Sequence, residues 1–214
     1  MKIKAILLDM DGVLIDSNEF IIKLYQETAK ALELKIPSDS EIRHLFGKTK
    51  EEILKILFPN NDLKLLVQTY KNIWGDRKFI LPAFSGAIEA IKSLKNHGFK
   101  LAVVSGGSIN AVTRNLKEAG YDLKIFDVLI TSEETEKHKP EPEPILLACK
   151  KLNMKPGEVL YIGDSEFDFE SAKNAKVNYI SVLTGALNEE ELKKLRVKNI
   201  INSISDLPNF LGLK

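Results

Sequence analysis

The sequence predicts an α/β fold: a Rossmann-like, doubly wound parallel sheet with an inserted α-helical subdomain. Three observations predict it. Short apolar runs rich in branched aliphatics, none alternating with polar residues, stand at 5–8 (AILL), 101–104 (LAVV), 127–130 (DVLI), 159–162 (VLYI) and 179–182 (YISV). Strands covered on both faces have this composition. Helical patterns at about 108–119, 142–152 and 166–175 separate the last four runs, so strand and helix alternate. Between the first two runs lies a long stretch with no convincing strand and with apolar residues at helical spacing.

Taken in order, AILL is the first strand, followed directly by Asp9-Met10-Asp11-Gly12. Residues 17–34 carry a helical pattern with Ser17 placed as its N-cap, and further helices fit 39–46, 49–58 and 61–75, punctuated by Pro37, Pro59 and Asn60–Asn61. Residues 78–86 (KFILPAFSG) form a return linker into a helix at 85–97, and Gly98 and Gly120 stand where helix C-terminal glycines fall. The expected organisation is therefore a core of residues 1–15 and 83–214 with a helical insertion at 16–82. A helix near 188–196 and the run KNII (198–201) finish the sheet edge.

Composition narrows the function classes. Lys plus Arg number 31 and Asp plus Glu number 30, mixed along the chain, so neither nucleic acid nor an anionic membrane is an expected partner. The single cysteine, Cys149, cannot form an internal disulfide and reads as a small buried apolar residue. The apolar start of the chain is too short for a signal peptide core or a membrane helix, and the expected compartment is the cytoplasm.

In a doubly wound sheet, ligands bind beyond the carboxyl ends of the strands. There the sequence places Asp9 and Asp11, then Ser105-Gly106-Gly107-Ser108, then Lys139 in a proline-stiffened segment, then Asp164 and Asp168. Glycines ahead of a helix free backbone N–H groups for an anion; the same residues also suit a plain strand-to-helix turn with Ser108 as N-cap. Asp164 and Asp168 would serve equally as helix-capping acids. Gathered at one edge, however, four carboxylates repel unless a hard cation such as Mg²⁺ neutralises them. His138 has no evident partner and is expected at the surface. Two look-alikes fail: a calcium loop from Asp9 would need Gly at Leu14 and Glu at Phe20, and Gly47-Lys48-Thr49 lacks the upstream glycine and strand of a P-loop.

Four motifs in order give the chain a family resemblance. Asp9–Val13 (DMDGV), Ser105 closing LAVVS, Lys139 before KPEPEP's prolines, and Gly163–Asp168 (GDSEFD) resemble the four motifs of the haloacid dehalogenase-like (HAD) superfamily. The insertion is similar to that family's C1 cap, as in its phosphoglycolate phosphatase and β-phosphoglucomutase branch. The resemblance implies a phosphatase acting on a small phosphorylated metabolite through an aspartyl-phosphate. Asp9 would be the nucleophile and Asp11 the general acid/base; Ser105, Gly106 and Lys139 would bind phosphate. Asp9, Asp11 (through its carbonyl), Asp164 and Asp168 would serve the Mg²⁺ ion. An acid at position 11 favours phosphoryl transfer over carbon–halogen cleavage. A sugar-phosphate mutase or a phospho-accepting signalling module would share much of this site. On the insertion, Arg43, His44 and Lys48 are candidates for reading the far end of a substrate, and the protein is expected as a monomer or small homo-oligomer.

Overall fold

β1 (Ala5–Leu8) is wholly buried, and its side chains alternate between two apolar layers: Ile6 and Leu8 join one cluster, Ala5 and Leu7 the other. β2 (Lys100–Val104) and β4 (Val159–Gly163) repeat this division, with Leu101, Val103, Leu160 and Ile162 on the first side and Ala102, Val104, Val159 and Tyr161 on the second. Each fully buried aliphatic side chain contributes about 1.5–3 kcal/mol. Strands with two buried faces have no polar partner in the pattern, which is why these runs do not alternate.

The coordinates, a computed structural model, describe residues 2–77 and 80–213. Lys78 and Phe79 of the expected return linker lie outside the described residues. The sheet has six strands in the order β3-β2-β1-β4-β5-β6, all parallel, with β3 at Val128–Ile130, β5 at Asn178–Val182 and β6 at Ile200–Ile201. The order reverses beside β1, so the crevice beyond β1 and β4 is the switch point where a ligand would sit.

The insertion is helical, as expected: α1 (Asn18–Ala31), α2 (Asp39–Arg43), α3 (Lys50–Leu57) and α4 (Leu63–Gly75). They pack around a cluster of their own, including Ile22, Tyr25, Ile42, Leu54 and Leu66. The chain leaves and re-enters the core side by side, where the Asp16 N–H donates to the Pro82 carbonyl (2.9 Å) and Ile15 pairs with Ala83.

Two helices end three residues short of their patterns. α1 ends at Ala31 rather than at residue 34 because Glu33 takes a left-handed φ of 53°, letting the Leu34 N–H reach back to the Ala29 carbonyl (2.9 Å). α2 stops at Arg43 rather than 46, where the chain turns toward Gly47.

After the insertion come α5 (Ala87–Asn96), β2 and α6 (Ile109–Glu118), the latter capped by Ser108 as expected. α7 (Glu143–Leu152), α8 (Glu166–Ala175), α9 (Glu189–Lys194) and α10 (Leu207–Phe210) follow in turn. Cys149 is buried against the second apolar layer, where burial pushes its thiol up to about 11. Among the described residues no helix is long and apolar enough to cross a membrane.

Asp127 ties β3 to the start of β2. It accepts the Leu101 N–H (2.9 Å) and pairs with Lys95 (2.6 Å) and Lys100 (3.2 Å). Burial alone would raise its carboxyl; these donors outweigh it and hold the group below its ordinary value. A depressed carboxyl stabilises the fold above the unfolded value, about 3.9, and that contribution fades as pH falls through the folded one. Asp127→Asn should therefore cost about 1 kcal/mol at pH 7, measured by urea unfolding, and the difference should shrink below about pH 4. A pH-independent difference would contradict this.

Candidate active site

Asp9 stands one residue beyond β1, its N–H donating to the Ile162 carbonyl of β4 (2.9 Å), and its carboxylate reaches the floor of the crevice. Gly12 turns the chain away with φ 77°, and a Cβ there would run into the Asp164 carboxylate. Ser105 extends β2, its N–H donating to Ile130 of β3 (3.0 Å) and its hydroxyl accepting the Gly107 N–H (3.1 Å). The structure thus brings Asp9, Asp11, Ser105, Gly106, Lys139 and Asp164 to one cavity of about 750 Å³ between the sheet edge and the helical insertion.

Lys139 organises the acids. Its Nζ donates to Asp9 Oδ1 (3.0 Å) and Asp168 Oδ1 (2.7 Å), all three groups being buried. Tyr161 donates its hydroxyl to Asp168 Oδ1 (2.5 Å) and accepts from Lys139 (3.3 Å). The other Asp168 oxygen accepts the N–H groups of Asp164 (3.3 Å) and Ser165 (3.2 Å) and the Ser165 hydroxyl (2.6 Å). Both Asp168 oxygens are therefore engaged within the protein. Burial would raise Asp168, but Lys139 and these donors hold it below the usual carboxylate range. Burial likewise works against a charged Lys139, yet Asp168 and Asp9 overcome it and keep the ammonium protonated.

The remaining acids are frustrated. Burial, followed by the charges of Asp168 and Asp11, pushes Asp9 up to about 7 against the pull of Lys139. Burial, with Asp168 and Asp9 nearby, raises Asp164 well above its ordinary value. Asp164 Oδ2 accepts the Ala186 N–H (2.8 Å), while Asp9 Oδ2 and Asp164 Oδ1 accept no hydrogen bond among the described residues. Ligand oxygens of Asp9, Asp164 and Asp168 lie within 4.8 Å of one another. An all-oxygen carboxylate set of this kind, with free oxygens and excess negative charge, fits a hard divalent cation.

Asp11 is held from the side. Ser17 was expected to cap α1, but its hydroxyl makes no cap bond and instead donates to Asp11 Oδ1 (2.5 Å). Ser17 is buried at the first turn of the insertion, where the acid is the stronger acceptor. Burial raises the Asp11 carboxyl despite this bond. Ser17→Ala should lower kcat by about 10- to 100-fold through loss of this orientation, with KM little changed and Ser17→Thr retaining most of the rate. Steady-state kinetics in which Ser17→Ala matches the parent would contradict that role.

Of the expected specificity residues, only Lys48 lines the cavity, its Nζ lying 4.2 Å from the centre of the Phe167 ring. Arg43 points elsewhere and pairs with Glu19, and the exposed His44 approaches the Ser40 carbonyl through Nδ1 (2.6 Å). His138, expected at the surface, is half-buried on the cavity wall, because the loop that carries Lys139 inward carries its neighbour too. Sequence reasoning missed Tyr161, Ser165 and the Thr184–Ala186 turn. Ser165, inside the GDSEFD motif, forms a capping box with Asp168, and that was the one available signal.

Carboxylates and a buried lysine converging at the switch point of a parallel sheet, beneath an inserted helical unit, define a hydrolase of the haloacid dehalogenase-like class. The chain belongs to that family, whose model, described as haloacid dehalogenase-like hydrolase, matches residues 6–182. A relative carrying the PpaX pyrophosphatase name in Clostridium perfringens is 36% identical over 191 residues, 89% of this chain and 88% of its own. Pyrophosphatase PpaX of Listeria innocua is 31% identical over 209 residues, 96% of this chain and 95% of that protein. A crystal structure from Bacteroides fragilis, described as a haloacid dehalogenase-like hydrolase, superposes with a TM-score of 0.86 at 28% identity, covering 96% of this chain and 100% of that one.

Proposed function

We propose that this protein is a Mg²⁺-dependent phosphatase that cleaves a small phosphomonoester through a phosphorylated Asp9. The observation that carries this reading is Lys139, buried and bridging Asp9 and Asp168 at the floor of the cavity. A carboxylate needs no base to attack, but its attack on a phosphate dianion requires charge to be cancelled. Lys139, the Ser105 hydroxyl and the Gly106 N–H would hold the phosphoryl oxygens. Asp9, the Asp11 carbonyl and Asp164 would hold Mg²⁺, which would supply further positive charge to those oxygens. Asp168, already saturated by donors, orients Lys139 and the metal site rather than reacting.

The proton account follows from Asp11. Asp9 bonds to phosphorus as the ester P–O bond breaks, and Asp11 gives its proton to the leaving oxygen. Water then attacks phosphorus, Asp11 takes a proton back, and the bond to Asp9 breaks to release phosphate. Burial shifts the Asp11 carboxyl upward, the direction a general acid needs. Residues 16–82 act as the cap that excludes bulk water, with 1–15 and 83–214 as the catalytic core. The compartment in this reading is the cytoplasm.

The PpaX name of the relatives favours pyrophosphate as a second reading of the substrate. A sugar-phosphate mutase would use the same floor but return the phosphoryl group to sugar. Turnover of a panel of phosphorylated metabolites and pyrophosphate, with Mg²⁺ and with chelator, tests the proposal. Chelator-sensitive phosphate release supports it; isomerised sugar phosphate without net phosphate release, or turnover indifferent to chelator, refutes it.

A further inference from the structure

The catalytic floor accounts for only one end of the cavity. The opposite wall, contributed by the helical insertion, is built from Leu24, Tyr25, Phe46, Ile53, Tyr70 and Trp74. These side chains are held in place rather than loosely gathered. Tyr25 and Tyr70 meet with ring centroids 5.0 Å apart, and Trp74 carries the guanidinium groups of Arg77 and Arg114 at 5.0 and 4.6 Å. Tyr25, Phe46, Leu24 and Ile53 are buried within the insertion's own apolar packing or against the cavity.

Most of the positive groups on this wall already have partners. Lys139 serves the transferred phosphoryl group on the floor, Lys50 pairs with Glu51 (2.9 Å), and Lys48 rests over Phe167. Lys71 is exposed, no arginine lines the cavity among the described residues, and the guanidinium groups over Trp74 are paired with Glu118. Glu51 and Glu133 also face the space. A pyrophosphate alone would leave much of the cavity unfilled, since a volume near 750 Å³ lies in the range that encloses organic ligands of drug size.

We infer that the leaving group of the natural substrate is an apolar, ring-bearing organic group that packs against the half-buried Tyr70 and Trp74. This rests on the phosphatase reading above and assigns its substrate class. A planar ring laid against aromatic faces gains stacking as well as apolar burial.

Binding separates this inference from the intrinsic reactivity of different leaving groups. The test uses acetyl phosphate turnover at fixed free Mg²⁺, inhibited competitively by naphthylmethylphosphonate, methylphosphonate or methylenediphosphonate. Naphthylmethylphosphonate is expected to bind at least about 100-fold more tightly than either of the others, a margin in keeping with burial of a large apolar group. Tyr70→Ala should shrink its advantage over methylphosphonate by about 30-fold. Methylenediphosphonate binding as tightly as the naphthyl compound, or a Tyr70→Ala variant that weakens both monophosphonates equally, overturns the inference. The parent protein's Ki ratio stands as a test even if the variant does not fold. Absence of acetyl phosphate turnover by the parent protein would instead overturn the phosphatase reading, and this inference with it.

Discussion

Asp9→Asn should abolish turnover, lowering kcat by at least about 10⁴-fold, the scale seen when a nucleophile is removed from an enzyme whose other groups remain. The amide has nearly the volume of the acid, and Asp9 is 5% exposed at the end of β1, so the fold should tolerate the exchange. Asparagine also removes one charge from a cluster in which Asp9 is already pushed up to about 7. The metal-free variant should thus unfold at the parent's temperature or somewhat above it. Loss of activity together with retained or raised Tm separates a chemical role from a structural one. A variant with more than a few per cent of parental activity would dismiss Asp9 as nucleophile.

Lys139→Ala should damage both stability and rate. Lys139 is 3% exposed, and its ammonium is the only cation bonded to Asp9 and Asp168 among the described residues. Removing one member of a buried ionic cluster leaves uncompensated charge and costs roughly 3–5 kcal/mol. For a chain of this size that corresponds to a fall of about 10 °C in Tm. The rate should fall by about 10²- to 10³-fold from loss of charge stabilisation at the phosphoryl group. Differential scanning calorimetry with steady-state kinetics reads both. An unchanged Tm would mean that Lys139 does not carry the acids' charge, and an unchanged kcat would remove it from phosphate binding.

Much of this arrangement was legible in the sequence because the strands sit between two apolar layers. That burial makes AILL, LAVV and VLYI continuous, and their ends then locate Asp9, Ser105 and Asp164 without further information. Lys139 was found through its place in the order of motifs rather than through local pattern, since a lysine in KHKPEPEP looks solvated. The structure shows why it is not: the segment folds inward and the lysine completes a charge cluster assembled from three strands' loops. Ser17 illustrates the opposite failure. A serine ahead of a helix reads as a cap, and only the fold shows that Asp11 lies nearer to its hydroxyl than the helix amides do. The Ala186 N–H bonded to Asp164 could not have been read at all, because a backbone donor has no side-chain signature. Arg43, His44 and Lys48 share one stretch of the insertion, yet only Lys48 faces the cavity, because Arg43 and His44 lie at the end of α2, turned toward Glu19 and Ser40.

The central claim is that Asp9 carries the phosphoryl group during turnover. Acetyl phosphate has a leaving group that needs little protonation, so Asp11→Asn should still permit the first step while slowing attack by water on the second. The protein should then accumulate in its phosphorylated form. Rapid acid quenching of Asp11→Asn with acetyl phosphate and Mg²⁺, followed by peptide mass spectrometry, is predicted to find one phosphoryl group on Asp9. Phosphoryl on any other residue, or none while the variant consumes acetyl phosphate at the parent's rate, would contradict the account.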